Sequence, residues 1–166
     1  MNTISRTTIL QLLIYQPATG EFRWRKSRGK AKRLSVAGFL KPDGYKFIKI
    51  SGKDYPAHRL AYFLMNNEWP ETVDHINNHP SDNRAINIRA ATQSQNNCNR
   101  RLQRNNTSGA KGVRWNKQRR KWLGYVWLNK KMKHIGYFST REEACSAVYT
   151  VRLEMHGEFA NHGGKA

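Results

Sequence analysis

The sequence predicts an α+β fold in two units, and three stretches carry that reading. Residues 73–97 read as strand, loop, strand and helix. Residues 111–157 read as three strands followed by one capped helix. Between them, the basic run Arg100-Arg101-Leu102-Gln103-Arg104 leads into the turn-prone 105–109, which sets a boundary at 104/105. The expected units are 1–104, with its hairpin-and-helix core at about 55–100, and 105–166, a three-stranded antiparallel sheet packed on one helix.

Taken in order, residues 8–15 read as a short helix because Ile9, Leu10, Leu12 and Leu13 are apolar, and Pro17 and Gly20 end it. Glu21-Phe22-Arg23-Trp24 follows as a strand. In residues 25–33, six of nine are Lys or Arg, a loop suited to straddling phosphates. Asp43-Gly44 signals a hairpin between Phe39-Leu40 and the alternating 45–50, and 51–54 turns the chain again. Residues 58–65 are apolar nearly all round, a buried core helix. His58 at its start is expected to hydrogen-bond locally, and Arg59 to reach a phosphate. Asn77, Asn78, Pro80, Ser81, Asp82 and Asn83 are turn formers. Ile86, Ile88 and Ala90 then alternate as a strand would, and Thr92 or Ser94 offers a cap for the next helix. In the second unit, 111–115, 121–128 and 131–137 read as strands. In the middle one Trp122, Gly124, Val126 and Leu128 point one way and Leu123, Tyr125 and Trp127 the other. Ser139 and Thr140 precede Glu142 and Glu143 as a capping box in either register, and Gly157 stops the helix. Ala144, Ala147, Val148, Val151 and Met155 form its buried stripe.

Charge narrows the partners. Lys and Arg total 30 against 11 acidic residues, a formal net charge of +19. Such an excess calls for a polyanion, and phosphate backbones bind through counterion release. No apolar run approaches the length of a spanning helix and no secretory signal is read at the start, which sets membrane aside. Cys98 and Cys145 are the only cysteines and make no CxxC, so neither a disulfide framework nor a four-sulfur zinc site follows; reduced thiols suit a cytoplasmic protein.

The chemistry concentrates at Asp74-His75, with Asn87 and Asn96 further on. A strand–loop–strand–helix path folds these polar positions onto one another, giving a small hard-metal site beside an imidazole. Phosphodiester cleavage needs a water deprotonated near neutral pH, a task suited to histidine with its unperturbed pKa near 6.5. It also needs a charge sink for the phosphorane, which a divalent cation on few oxygen ligands supplies.

Four linked segments carry a family resemblance: His58-Arg59-Leu60, Asp74-His75, Asp82-Asn83 through Asn87-Ile88-Arg89, and Thr92 through Asn96. With these the first unit resembles the HNH nucleases, a ββα-metal fold. The resemblance implies a catalytic pair, His75 as general base and Asn87 holding the His75 region by hydrogen bonding. It implies Asp74 and Asn96 as oxygen ligands of Mg²⁺, or Mn²⁺, with Asn97 the neighbouring option and His79 a loop residue. Where many members carry a final His, Asn96 favours these hard ions over zinc.

The second unit carries Lys111-Gly112-Val113-Arg114-Trp115, Lys121-Trp122, Ile135-Gly136-Tyr137-Phe138 and a Glu-Glu-Ala helix. It resembles an AP2-type DNA-binding domain over 105–159, a family whose sheet reads the major groove. That implies contacts from Arg114, with Trp115, Lys121, Tyr125, Trp127, Met132 and His134 on the same exposed face, and from Arg119 at the hairpin tip. Together the two resemblances imply a homing endonuclease of phage or intron type, acting on double-stranded DNA in the cytoplasm of an infected bacterium. One site per chain makes a monomer a nickase, whereas double-strand cleavage needs a weak dimer or reorientation. The alternatives are a non-catalytic DNA-binding regulator, which binds without metal-dependent cleavage, and an RNA-binding protein, which prefers single strands.

Overall fold

A computed structural model describes residues 4–163. The chain divides into two compact units, Met1–Ala91 and Thr92–Ala166. The division falls before the basic linker that the sequence reading placed at the boundary. Residues 98–100 explain this, because Lys111 Nζ donates to the carbonyls of Cys98 (2.8 Å) and Arg100 (2.6 Å), and Asn161 Nδ2 to that of Asn99 (2.9 Å). The segment is thereby tied into the second unit.

The first unit opens with helix α1 (Arg6–Leu12), capped by Ser5, and then strand β1 (Leu13–Gln16). The helix expected over 8–15 therefore stops early. The Gln16 carbonyl accepts the amides of Thr19 (3.2 Å) and Gly20 (2.8 Å), and this turn lays Leu13–Gln16 antiparallel to β2 (Glu21–Trp24). Pairing satisfies the β2 backbone and buries Leu13 and Phe22 completely. A second sheet runs β3 (Phe39–Leu40), β4 (Lys46–Ile50) and β5 (Lys53–Pro56), in that order. Helix α2 (Ala57–Asn66) follows at once and packs Leu60, Ala61 and Leu64 into one core with Ile9, Phe22 and Ile48. Asn67 ends it in the left-handed conformation, φ 58°.

A third sheet pairs β6 (Thr72–His75) with β7 (Ile88–Ala91). The alternation predicted through Ile86, Ile88 and Ala90 does not hold. A 3₁₀ turn at Ala85–Asn87 breaks the two-residue period, leaving Ile86 83 % exposed while Ile88 is buried.

The second unit opens on α3 (Gln93–Cys98), whose capping box uses Thr92 and Gln95. Its antiparallel sheet has the order β10 (Lys131–Phe138), β9 (Lys121–Leu128), β8 (Val113–Asn116), with α4 (Arg141–His156) across one face. Of the two possible registers, the cap is Thr140 with Glu143. Val113, Val126, Ala144 and Val148 make the core, with Trp122 and Phe138 against it. Gly124 makes a close approach there: a Cβ would sit 3.0 Å from Val148 Cγ2 and 3.2 Å from the Phe138 ring, so those side chains would have to give way. Arg152, outside the predicted stripe, is buried too, its guanidinium donating to the Lys111 carbonyl. Among the described residues no helix is long and apolar enough to cross a membrane.

Candidate active site

Strand β6 buries Val73, Asp74 and His75 in succession, so two polar side chains enter the interior at a strand end. Each has a partner that lowers the cost of burial. Register sets Asp74 opposite Arg89, whose Nη2 and Nε lie 2.9 and 3.0 Å from Asp74 Oδ2. His75 Nε2 lies 2.9 Å from Oδ1 of Asn83, a residue only 1 % exposed.

The loop from 76 to 87 is held by side chains rather than by regular structure. Asn87 Nδ2 donates to Asn77 Oδ1 (2.9 Å) and to the Asp82 carbonyl (2.7 Å), while its Oδ1 accepts the Asn77 amide (3.0 Å). Its backbone carbonyl accepts the Ile76 amide at 2.9 Å, which fixes the chain leaving His75. Asn77 Nδ2 and Arg84 Nη2 both donate to Asp82 Oδ2, at 2.7 and 2.6 Å. Arg84 above all holds the Asp82 carboxyl down at about 2. The first hairpin supports this loop: Tyr15 Oη donates to the Asn83 carbonyl (2.8 Å), and the Ala85 amide to that of Pro17 (2.9 Å). Burial, then the nearby Asp82 charge, pushes the Tyr15 hydroxyl up to about 12.

Three rings meet beside the site. His58 and His75 have centroids 5.1 Å apart, edge to face, and Tyr45 lies 5.3 Å from His58 and 5.9 Å from His75. Burial lowers the His75 pKa, opposed by the Asn83 hydrogen bond and the Asp74 and Asp82 charges. His58 falls to about 3, through burial first and then the proximity of His75 and Arg59. The local hydrogen bond expected of His58 is missing at Nδ1, which has no partner.

The first unit thus brings together Asp74, His75 and Asn87. Asn96 belongs to the second unit, half-buried on α3, with Asn97 beside it exposed. His79 is an exposed loop residue. Arg59 is engaged within its own unit, donating to the Pro70 carbonyl (3.1 Å) and resting over the Trp69 ring (5.7 Å). Sequence reasoning passed over Asn83, Arg89 and Tyr45. The first two stand inside the Asp-Asn and Asn-Ile-Arg segments, but only register shows what they bind. Among the described residues no three His, Cys, Asp or Glu side chains gather as a metal cluster would.

On the second unit's sheet, the face away from α4 carries Arg114, Lys121, Tyr125, Trp127, Met132 and His134, by register and two-residue alternation. Arg114 lies 5.6 Å over the Tyr125 ring, and Arg119 4.6 Å over Tyr137. Trp127 and Met132, a cross-strand pair, are 52 % and 45 % exposed. Trp115 departs from the predicted face. It pairs with Trp122 and packs edge-on against it at 5.3 Å, on the α4 side, because neighbours along a strand point oppositely.

The family described as HNH endonuclease matches residues 55–98, from β5 through α3. Protein 3.8 of Escherichia phage T7 is 36 % identical over 90 residues, which cover 53 % of this chain and 72 % of that protein. No solved structure matches the chain. The chain belongs to the HNH endonuclease family, and residues 55–98 are its HNH domain.

Proposed function

We propose that this chain is a metal-dependent DNA endonuclease of the homing type, cutting phosphodiester bonds with the first unit and gripping the duplex with an AP2-like second unit. The observation that carries the reading is the Asp74-His75 pair at the end of β6, its following loop pinned by Asn87, inside the matched family domain.

In this reading His75 takes the proton from the attacking water. Burial favours the neutral imidazole that the task requires. Asn87 keeps the loop closed so that the imidazole does not drift. Asp74 would be an oxygen ligand of Mg²⁺ or Mn²⁺. Its carboxylate oxygen is a hard donor that fits such an ion, and Arg89 pairs with the same carboxylate at 2.9 Å. When bound, the ion supplies charge stabilisation to the phosphorane and the leaving oxygen.

The exposed sheet face is the proposed grip on DNA. Arg114, Arg119 and Lys121 would meet phosphates or guanine edges, and Tyr125, Trp127, Met132 and His134 would supply apolar and aromatic contact. The +19 charge supports a nucleic-acid partner, in a host-cell cytoplasm as for a phage protein.

The test is nicking of supercoiled plasmid by the purified full chain. Conversion to open circles with Mg²⁺, and none with a chelator or in His75→Ala, is the expected result. Cleavage by His75→Ala at the wild-type rate would overturn the assignment. Retarded duplex migration with no cleavage under any divalent ion would favour a regulator instead.

A further inference from the structure

Asn83 takes no part in the proposed reaction, yet it is among the most deeply buried polar side chains of the first unit, at 1 % exposure. Its Oδ1 lies 2.9 Å from His75 Nε2. Three other contacts hold it: Tyr15 Oη bonds its carbonyl at 2.8 Å, its amide donates to the Ser81 carbonyl at 3.2 Å, and Gly20 presses on its backbone. A Cβ on Gly20 would lie 2.5 Å from the Asn83 carbonyl carbon, so only glycine allows that approach. The cost of this placement is visible at Asn83 Nδ2, which is buried without a hydrogen-bond partner. A side chain locked this firmly, with one of its own groups left unsatisfied, is held for the bond that it does make.

That bond has a chemical consequence. An amide oxygen only accepts, so the partner nitrogen must carry the hydrogen. A neutral imidazole has one N–H. If Nε2 donates to Asn83, the lone pair stands on Nδ1. Tyr45 and His58 pack against the same ring and restrain its rotation.

We infer that Asn83 is the positioning residue that holds neutral His75 as its Nε2–H tautomer, making Nδ1 the nitrogen that accepts the proton from water. The inference rests on the nuclease reading for the word "accepts"; the tautomer itself does not. Asn83 acts on His75 and touches no reacting atom.

The experiment is long-range ¹H–¹⁵N correlation on the full ¹⁵N-labelled chain above neutral pH, with His75 assigned by the peaks lost in His75→Gln. The wild type should show a protonated Nε2 and an unprotonated Nδ1. Asn83→Leu, similar in size but without an acceptor, should show mixed tautomers and lose about 10–100-fold in nicking, the range for supporting partners of active-site groups. Asn83→Asp keeps an accepting oxygen and should restore both the Nε2–H form and most of the rate. Should Asn83→Leu fail to fold, the wild-type spectrum and Asn83→Asp still decide. A protonated Nδ1 in the wild type would overturn the inference even if the chain nicks DNA. An Nε2–H wild type that never nicks would overturn the nuclease reading alone.

Discussion

Asp74 and Arg89 face each other across the β6–β7 pair, with two guanidinium N–H groups on a single carboxylate oxygen, at 2.9 and 3.0 Å. Their side chains are only 4 % and 14 % exposed. Removing one partner leaves a desolvated charge, and that cost exceeds what the pair itself contributes. Arg89→Leu should therefore lower stability by about 3–5 kcal/mol in urea unfolding. Adding Asp74→Asn should recover much of the loss. A single-variant loss under about 1 kcal/mol, the range of exposed pairs, would show that the bridge is solvated.

With His75 as the proposed base, its environment sets the expected pH profile of cleavage. Burial holds its pKa below the ordinary 6.5, even against Asn83 and two nearby carboxylates. The base form is the neutral one, so lowering the pKa extends activity toward acid. Single-turnover nicking should be level from neutral pH down past about 6.5 and decline only below that. An inflection above pH 7 would contradict the desolvated imidazole.

His58 makes the fold sensitive to acid. Its pKa drops to about 3 from 6.5, so between those values the unfolded chain binds a proton that the folded chain refuses. Stability is then fully present above pH 6.5 and is lost as pH falls toward 3. The loss would be on the order of 4–5 kcal/mol, at about 1.36 kcal/mol for each tenfold change in proton affinity. Urea midpoints from pH 7 to 4 should fall for the wild type and much less for His58→Phe. Parallel curves for the two chains would assign the acid sensitivity elsewhere.

Gly20 and Gly29 form a matched pair of tests. Both have positive φ, +74° and +56°, but only Gly20 meets backbone, that of Asn83 and Arg84, whereas Gly29 has nothing within 4 Å. Gly29→Ala should cost about 1 kcal/mol of left-handed strain. Gly20→Ala adds a backbone clash and should cost clearly more, with a correspondingly lower melting temperature. Equal losses would mean that the loop yields freely.

The two faces of the second unit's sheet should behave differently toward duplex DNA. Arg114→Ala should weaken binding and reduce the salt slope by about one if its partner is a phosphate. Trp127→Ala, on the same face, should weaken binding with little change in slope. Trp115→Ala, on the face carrying α4, should mainly lower stability. Fluorescence anisotropy across a salt series distinguishes the three, and a Trp115 variant weakest of all in binding would reverse the facing.

Much of this chain was legible in advance where the signals are local. Strand β9 keeps its predicted bounds, Lys121–Leu128, because alternation is a property of consecutive residues. The Thr140–Glu143 and Thr92–Gln95 boxes form where a hydroxyl and a long polar side chain stand three apart. The stretch 73–97 reads as strand, loop, strand and helix for the same reason, and the charge of +19 requires no structure at all. What tertiary structure alone decided was partnership. Residues 13–16 became a strand because Glu21–Trp24 needed hydrogen bonds, Arg89 met Asp74 through hairpin register, and Trp115 turned toward α4 because Arg114 turned away. Asn83 reached His75 because a turn at Gly20 lets the backbones touch. Period and capping act over a few residues and are written in the order of the side chains. Pairing joins segments whose separation in the chain says nothing about which atoms will meet, so it is settled only when the core closes.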